Sequence, residues 1–361
     1  MSHSFRDTSP GRLRPAVLLL AVLGVAGPGA GTLRAQVFES VGARALGMGG
    51  AFVAVADDGT ATYWNPAGLG ASAVVDACAG YGRTERVRGE GTAAPAGQEA
   101  RTTSVCLALP VIAFSYNSLA IHSAGVPVNS TAADPGSRQD LRPQGVGVSS
   151  LRTRQFGLSL VQSVLPGVVL GATVKVVRGD AGAAVGPSEG GGSRLEDARG
   201  LAVATSTRFD ADIGVMAGGG PFRVGLVVRN VRQPSFAAPA GERLELARQA
   251  RVGLAWTPGR LAAANRSDPA GFIVAVDADV TATPTADGDR RNVAAGVERW
   301  WAGRRLGVRA GARASTIGDA RPVATAGVSI GLTRTVLVEA AGTRGRSQGD
   351  RGWFVGIRAG L

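Results

Sequence analysis

The chain has 361 residues, with 54 glycines, 45% hydrophobic side chains, and 39 basic against 27 acidic residues for a formal net charge of +12. Glycine at about twice its usual share, without a Gly-X-Y period and beside that hydrophobic content, excludes collagen and a disordered tail. Two histidines and two cysteines offer little from which to build a Ser-His-Asp triad, a Cys-His pair or a histidine metal site, so neither an enzyme, a cofactor nor a metal is expected. The arginines are scattered along the whole length instead of forming a basic face, and nucleic acid is not an expected partner.

Arg6, Arg12 and Arg14 precede an apolar run from Ala16 to Ala26, followed by Gly27, Pro28 and a small-residue stretch that ends at Ala35. This order is that of a secretory signal peptide, so residues 1–35 are expected to be removed. The run is shorter than the ~20 residues that a spanning helix needs. His122 is then the only imidazole of the mature chain. No later stretch has the length and apolarity of a spanning helix, so an exported chain of this kind is soluble or a membrane β-barrel.

Residues 36–72 form a separate small unit, dense in Gly and Ala and without period-two alternation. Within it, Gly47, Gly49 and Gly50 permit close packing or positive φ. Asp57 and Asp58 can cap a short helix, and Trp64 closes the run ahead of Asn65-Pro66-Ala67-Gly68. That tetrapeptide is a turn signal in which Pro66 holds Asn65 out of the α region. A plain loop ahead of a domain accounts for the same residues.

From residue 73 to residue 361, segments of about ten residues alternate apolar with polar or small side chains. The alternation predicts fourteen strands, near 73–81, 101–109, 112–124, 153–164, 167–179, 204–217, 221–231, 249–257, 271–281, 291–301, 304–314, 323–332, 335–343 and 353–361. Connections tend to alternate short with long, 258–270 being an oversized turn on the short side. An even number of antiparallel strands with that loop asymmetry describes an outer-membrane barrel. A soluble sandwich also alternates, but Trp256, Trp301 and Trp353 sit on the apolar face near strand ends, the levels of a barrel's aromatic girdles. Parity turns Lys175, Arg208, Asp210, Asp212, Arg223, Arg229, Asp277, Asp279, Glu298, Arg309, Arg313 and Arg358 toward the lumen, as a polar passage or as a mutually paired filling, with Glu298 and Arg309 paired across a hairpin. Cys78 and Cys106 share the lumenal parity of neighbouring strands, where they are either bridged or two unpaired small residues.

The run LGMGGAFVAVADDGTATYWNPAGL, Leu46 to Leu69, resembles the N-terminal motif of outer-membrane barrels related to the long-chain fatty-acid transporter FadL, and within them most closely the PorV/PorQ-type proteins. VVRNVRQP (Val227 to Pro234) and AGVERWWAGRRLGVRAGAR (Ala295 to Arg313) are weaker matches that follow in the expected order. The resemblance implies an all-β, transmembrane antiparallel β-barrel of about fourteen strands with the N-terminal segment as a hatch inside the lumen. It implies residence in the bacterial outer membrane, among its lipid and lipopolysaccharide, and passage of small hydrophobic molecules. Two alternatives stand beside it: a PorV-like component binding exported proteins of a secretion system, and a structural protein without transport. The central loop Val185 to Gly200 is too polar to resemble a greasy capture groove.

Overall fold

The computed structural model describes residues 32–33, 41–87, 97–127, 146–186, 194–258, 271–285, 288–346 and 350–361. The expected signal peptide, the first residues of the hatch unit and the oversized turn lie wholly or mostly outside the described residues. Fourteen strands close into one barrel. They are β1 Asp76–Val87, β2 Gly97–Ala108, β3 Ile112–Pro127, β4 Val146–Leu165, β5 Val168–Gly186, β6 Ala204–Gly219, β7 Phe222–Arg229, β8 Gln249–Trp256, β9 Phe272–Asp279, β10 Asn292–Trp301, β11 Leu306–Ser315, β12 Val323–Gly331, β13 Val336–Gly345 and β14 Arg351–Gly360. Each strand pairs antiparallel with its neighbour in sequence, and β14 pairs with β1 from Arg351↔Glu85 to Gly360↔Asp76, which removes both sheet edges.

The alternation in the sequence becomes an inside and an outside. In β7, Phe222, Val224 and Leu226 are 50%, 46% and 43% exposed on the outer face, while Arg223 is 1% exposed on the inner one. The same reversal of the soluble pattern runs around the wall through Phe156, Phe209, Val276, Val308 and Ile357, all exposed. Such a band far exceeds the apolar patch a soluble monomer shows, and hydrocarbon is the medium in which it is stable. Trp256 and Trp301 stand outward near short turns, and Trp353 stands outward toward the opposite end, its ring 5.6 Å from that of Tyr81. This is a membrane-spanning barrel, not a sandwich.

Several strands overrun their expected limits on the long-loop side, among them β1, which runs to Val87, and β4 and β5 the furthest. β4 and β5 continue past the expected 153–164 and 167–179 on the long-loop side, well beyond the ~9–11 residues that cross a bilayer. Residues of both faces are small there, as in AGAAVG (Ala181 to Gly186), so alternation fades where no lipid selects it. The extension is covered from within: Phe236, Leu244 and Leu246 pack on Leu151, Val177 and Ala181. A short helix, Arg194–Gly200, folds from the β5–β6 connection over the neighbouring strands, and Arg199 pairs with Glu99 of β2. Cys78 and Cys106 oppose each other directly in β1 and β2, and the structure joins them in a disulfide with a Cα–Cα distance of 5.0 Å.

Candidate functional site

Residues 41–71 occupy the lumen, almost wholly buried. The segment contains α1 (Ala43–Gly47), α2 (Ala61–Trp64) and a 3₁₀ turn (Pro66–Ala71). Helices this short do not persist in water alone, so the wall must hold them. The chain runs as an arc over the inner surface, from β12 through β11 and β10 to β8, β7, β6 and β5. Each of those strands presents an inward glycine to it, in the order of the arc. Gly327 meets Gly47, Gly311 and Gly296 meet Met48, Gly253 and Gly225 meet Val53 and Ala54, Gly214 meets Asn65, and Gly171 meets Pro66 and Ala67. A Cβ on Gly296 would stand 2.5 Å from the Met48 carbonyl oxygen and one on Gly225 2.5 Å from that of Val53. The plug backbone therefore lies directly on the wall backbone.

The strand between them, β9, supplies an acceptor. Asp277 Oδ2 takes hydrogen bonds from the amides of Phe52 and Val53, both 2.8 Å. Opposite, Arg223 donates to the carbonyls of Ala54 at 2.5 Å and Val55 at 2.8 Å. Asn65 donates to the carbonyls of Val53 at 3.0 Å and Val215 at 3.2 Å, and accepts from the Ala67 amide. The Asn65-Pro66 signal thus pins the plug to β6. Trp64 Nε1 donates to Val41 at 2.7 Å, and Gly68 leaves no room for a side chain against Ala56. Gly49 and Gly50 have φ of 72° and 88°, which only glycine adopts readily.

The charged contacts concentrate at α1. Arg44 makes a two-pronged pair with Glu298 of β10, both contacts 2.7 Å, and pairs with Asp57 and Asp58 of the plug itself. Asp58 accepts from Thr60 and pairs with Arg358 of β14 at 2.9 Å. On the wall, Glu298 receives Arg309 at 2.6 Å, Arg309 donates to Ser329 at 2.6 Å, and Ser329 donates to Glu339 at 2.7 Å. Burial opposes charge on both plug partners. The facing acids nonetheless hold the Arg44 guanidinium above its ordinary value, and Arg358 and Arg44 hold the Asp58 carboxyl below its own. Both stay charged, so this buried pairing acts as a latch between plug and wall.

The remaining lumenal residues of the alternation divide by neighbourhood. Lys175, Asp210 and Asp212 form one cluster, Lys175 reaching the two carboxylates at 3.0 and 2.8 Å and Asn230 at 3.1 Å. Asn230, in the VVRNVRQP run, has φ 53° and donates its amide to Asp212, which fixes the turn out of β7. The Arg229 guanidinium lies 3.7 Å from the centre of the Tyr63 ring. Asp279 pairs with Arg251 at 2.6 Å and accepts from Asn292, while Arg313 lines a cleft at the long-loop mouth. Arg208 keeps the inward parity of Asp210 and Asp212 but is exposed, because β6 at that height has passed the filled part of the lumen, and it donates to the Ser235 carbonyl.

Sequence reasoning passed over Arg44, Ser329 and the inward glycines. Their signals were present: a single basic residue within a Gly- and Ala-rich run, and glycine recurring at lumenal parity on successive strands.

A family model described as "F plasmid transfer operon, TraF, protein" matches residues 92–268, less than half of the chain. No curated protein sequence matches it. Among solved structures, the toluene transporter TbuX of Ralstonia pickettii is similar over 90% of this chain and 99% of its own, with TM-score 0.58 and 14% identity. A Pseudomonas aeruginosa FadL homologue is similar over 91% and 99%, with TM-score 0.58 and 13% identity. The Pseudomonas putida toluene transporter TodX is similar over 91% and 98%, with TM-score 0.52 and 14% identity. At such identities the likeness speaks for the fold: this chain folds as the FadL-like barrels do, over nearly their whole length.

Proposed function

We propose that the protein is a plug-gated channel of the bacterial outer membrane that passes small, mostly hydrophobic molecules. One observation carries this reading. The lumen is filled by a segment that lies on glycine and is fastened by a few polar contacts, a seat that permits displacement without rebuilding the wall. Support comes from the shared fold with proteins described as toluene transporters. The apolar outer band meets lipid, with lipopolysaccharide expected at the long-loop end. Uptake of radiolabelled toluene into cells lacking their own hydrocarbon channels tests the proposal. Expression should raise the initial rate several-fold, and a rate equal to that of the empty vector would overturn the channel reading.

A second reading, a PorV-like component that binds exported proteins, is favoured by the polar long-loop end. There the helix Arg194–Gly200 carries exposed Glu196, Asp197 and Arg199 across the neighbouring strands. Under this reading toluene uptake is unchanged by expression, and a secreted protein is lost from the cell surface when the chain is deleted.

A further inference from the structure

The short-turn end of the lumen opens into a recess of about 430 Å³. Arg304 and Arg305 of the β10–β11 turn line it with Arg334 of the β12–β13 turn, Thr335 and the inward Arg358. No carboxylate lines the recess. Among the described residues, Arg304, Arg305 and Arg334 make no ion pair; Arg304 instead lies over the Trp300 ring at 4.8 Å. Arg358 is 4% exposed and already serves Asp58 and Glu339. Three further guanidiniums therefore share one concavity without a close ion-pair partner, the carboxylates of Asp57 and Glu298 acting on Arg304 only from a distance.

We propose that this recess is a binding site for a multivalent phosphate-type oxyanion. Planar guanidinium forks match the spread of phosphate oxygens, and the Thr335 side chain adds a hydroxyl donor. A monovalent carboxylate would neutralise one of the three turn arginines and leave the others facing each other; a diphosphate carries enough charge for all of them. The volume is roughly fourteen times the ~30 Å³ of a water molecule, ample for such an ion. The ion can come free in solution or as a phospholipid headgroup, because the short turns stand beside the girdle residue Trp301. The site is independent of what crosses the lumen.

The test uses the full chain purified in a neutral detergent. It is titrated at low salt with sodium pyrophosphate and, separately, with cardiolipin, whose headgroup carries two phosphates, added to the micelles against phosphatidylcholine as control. Binding is compared with Arg305→Gln/Arg334→Gln and with the single Arg334→Glu. Both positions are exposed turn residues, so both variants should keep the wild-type gel shift on heating. Saturable pyrophosphate binding, weakened at least tenfold in the double variant and by added sodium chloride, is the expected result. Binding of cardiolipin alone, with the same dependence on the arginines, identifies the headgroup as the source. Absence of binding by both, or equal binding by wild type and variants, overturns the proposal.

Discussion

Arg44 joins three chain segments at one guanidinium: α1 that bears it, the Asp57-Asp58 corner of the plug and Glu298 on the wall. Removing one partner of a buried pair leaves charge without compensation, typically at a cost of about 3–5 kcal/mol. Arg44→Met should therefore destabilise the seated plug by an amount of that order. The urea midpoint should fall and single-channel openings should appear in planar bilayers; an unchanged midpoint with silent bilayers would show that Arg44 carries no latch. Glu298→Gln, which keeps the shape and one acceptor, should fall between the two.

The Asp58 carboxyl gives the latch a pH dependence with a definite sign. Burial alone would raise it, but Arg358 and Arg44 outweigh burial and hold it below its ordinary value of 3.8. A group lowered in the folded state contributes fully above its unfolded value and loses that contribution as pH falls through the folded one. Conductance should thus be flat from pH 7 to pH 5 and rise only below about pH 4. Opening centred between pH 5 and 7 would assign the latch to another group.

At the scale of the element, each wall strand has two different tasks, and the sequence displays one more plainly than the other. Outward residues answer only to lipid, so Phe222, Val224 and Leu226 in β7 and Val274 and Val276 in β9 announce their strands by alternation alone. Inward residues answer to one partner each. Alternation shows that Glu298 and Arg309 face the lumen and oppose each other, but not that Arg44 joins them from 254 positions away. It likewise shows Gly296 and Gly311 at inward positions without saying that Met48 lies on them. Ends of strands were the least readable, since β4 and β5 leave the membrane before they stop. Gly311→Ala isolates the glycine track. A Cβ there falls within contact distance of the Met48 and Gly49 backbone, whereas at Gly342 the nearest atom is 3.9 Å away. Overpacking of this kind costs about 1–3 kcal/mol. Gly311→Ala should lower the urea midpoint accordingly and Gly342→Ala should not; equal effects would mean the plug does not rest on β11.

At the scale of the whole molecule, plug and wall stand in an unequal relation. The plug cannot hold its two short helices without the wall, while the wall is complete by itself: fourteen strands in an unbroken ladder, fastened at β1–β2 by Cys78–Cys106. Glu298, Arg309, Asp277 and Arg223 are buried because the plug covers them. With the plug gone they face water, so the desolvation that made them demanding goes with it. A barrel of fourteen strands encloses more space than its own inward side chains can fill, and the vacated lumen should conduct. Deleting residues 41–70 is expected to leave an inserted, heat-modifiable barrel whose conductance in planar bilayers far exceeds that of the intact chain. The paired change Asn65→Ala with Pro66→Ala, which removes the anchors to Val53 and Val215, should give intermittent openings between these extremes. If the deleted form inserts and conducts no more than the intact protein, the segment is not what closes the lumen, and a gated channel loses its mechanical basis.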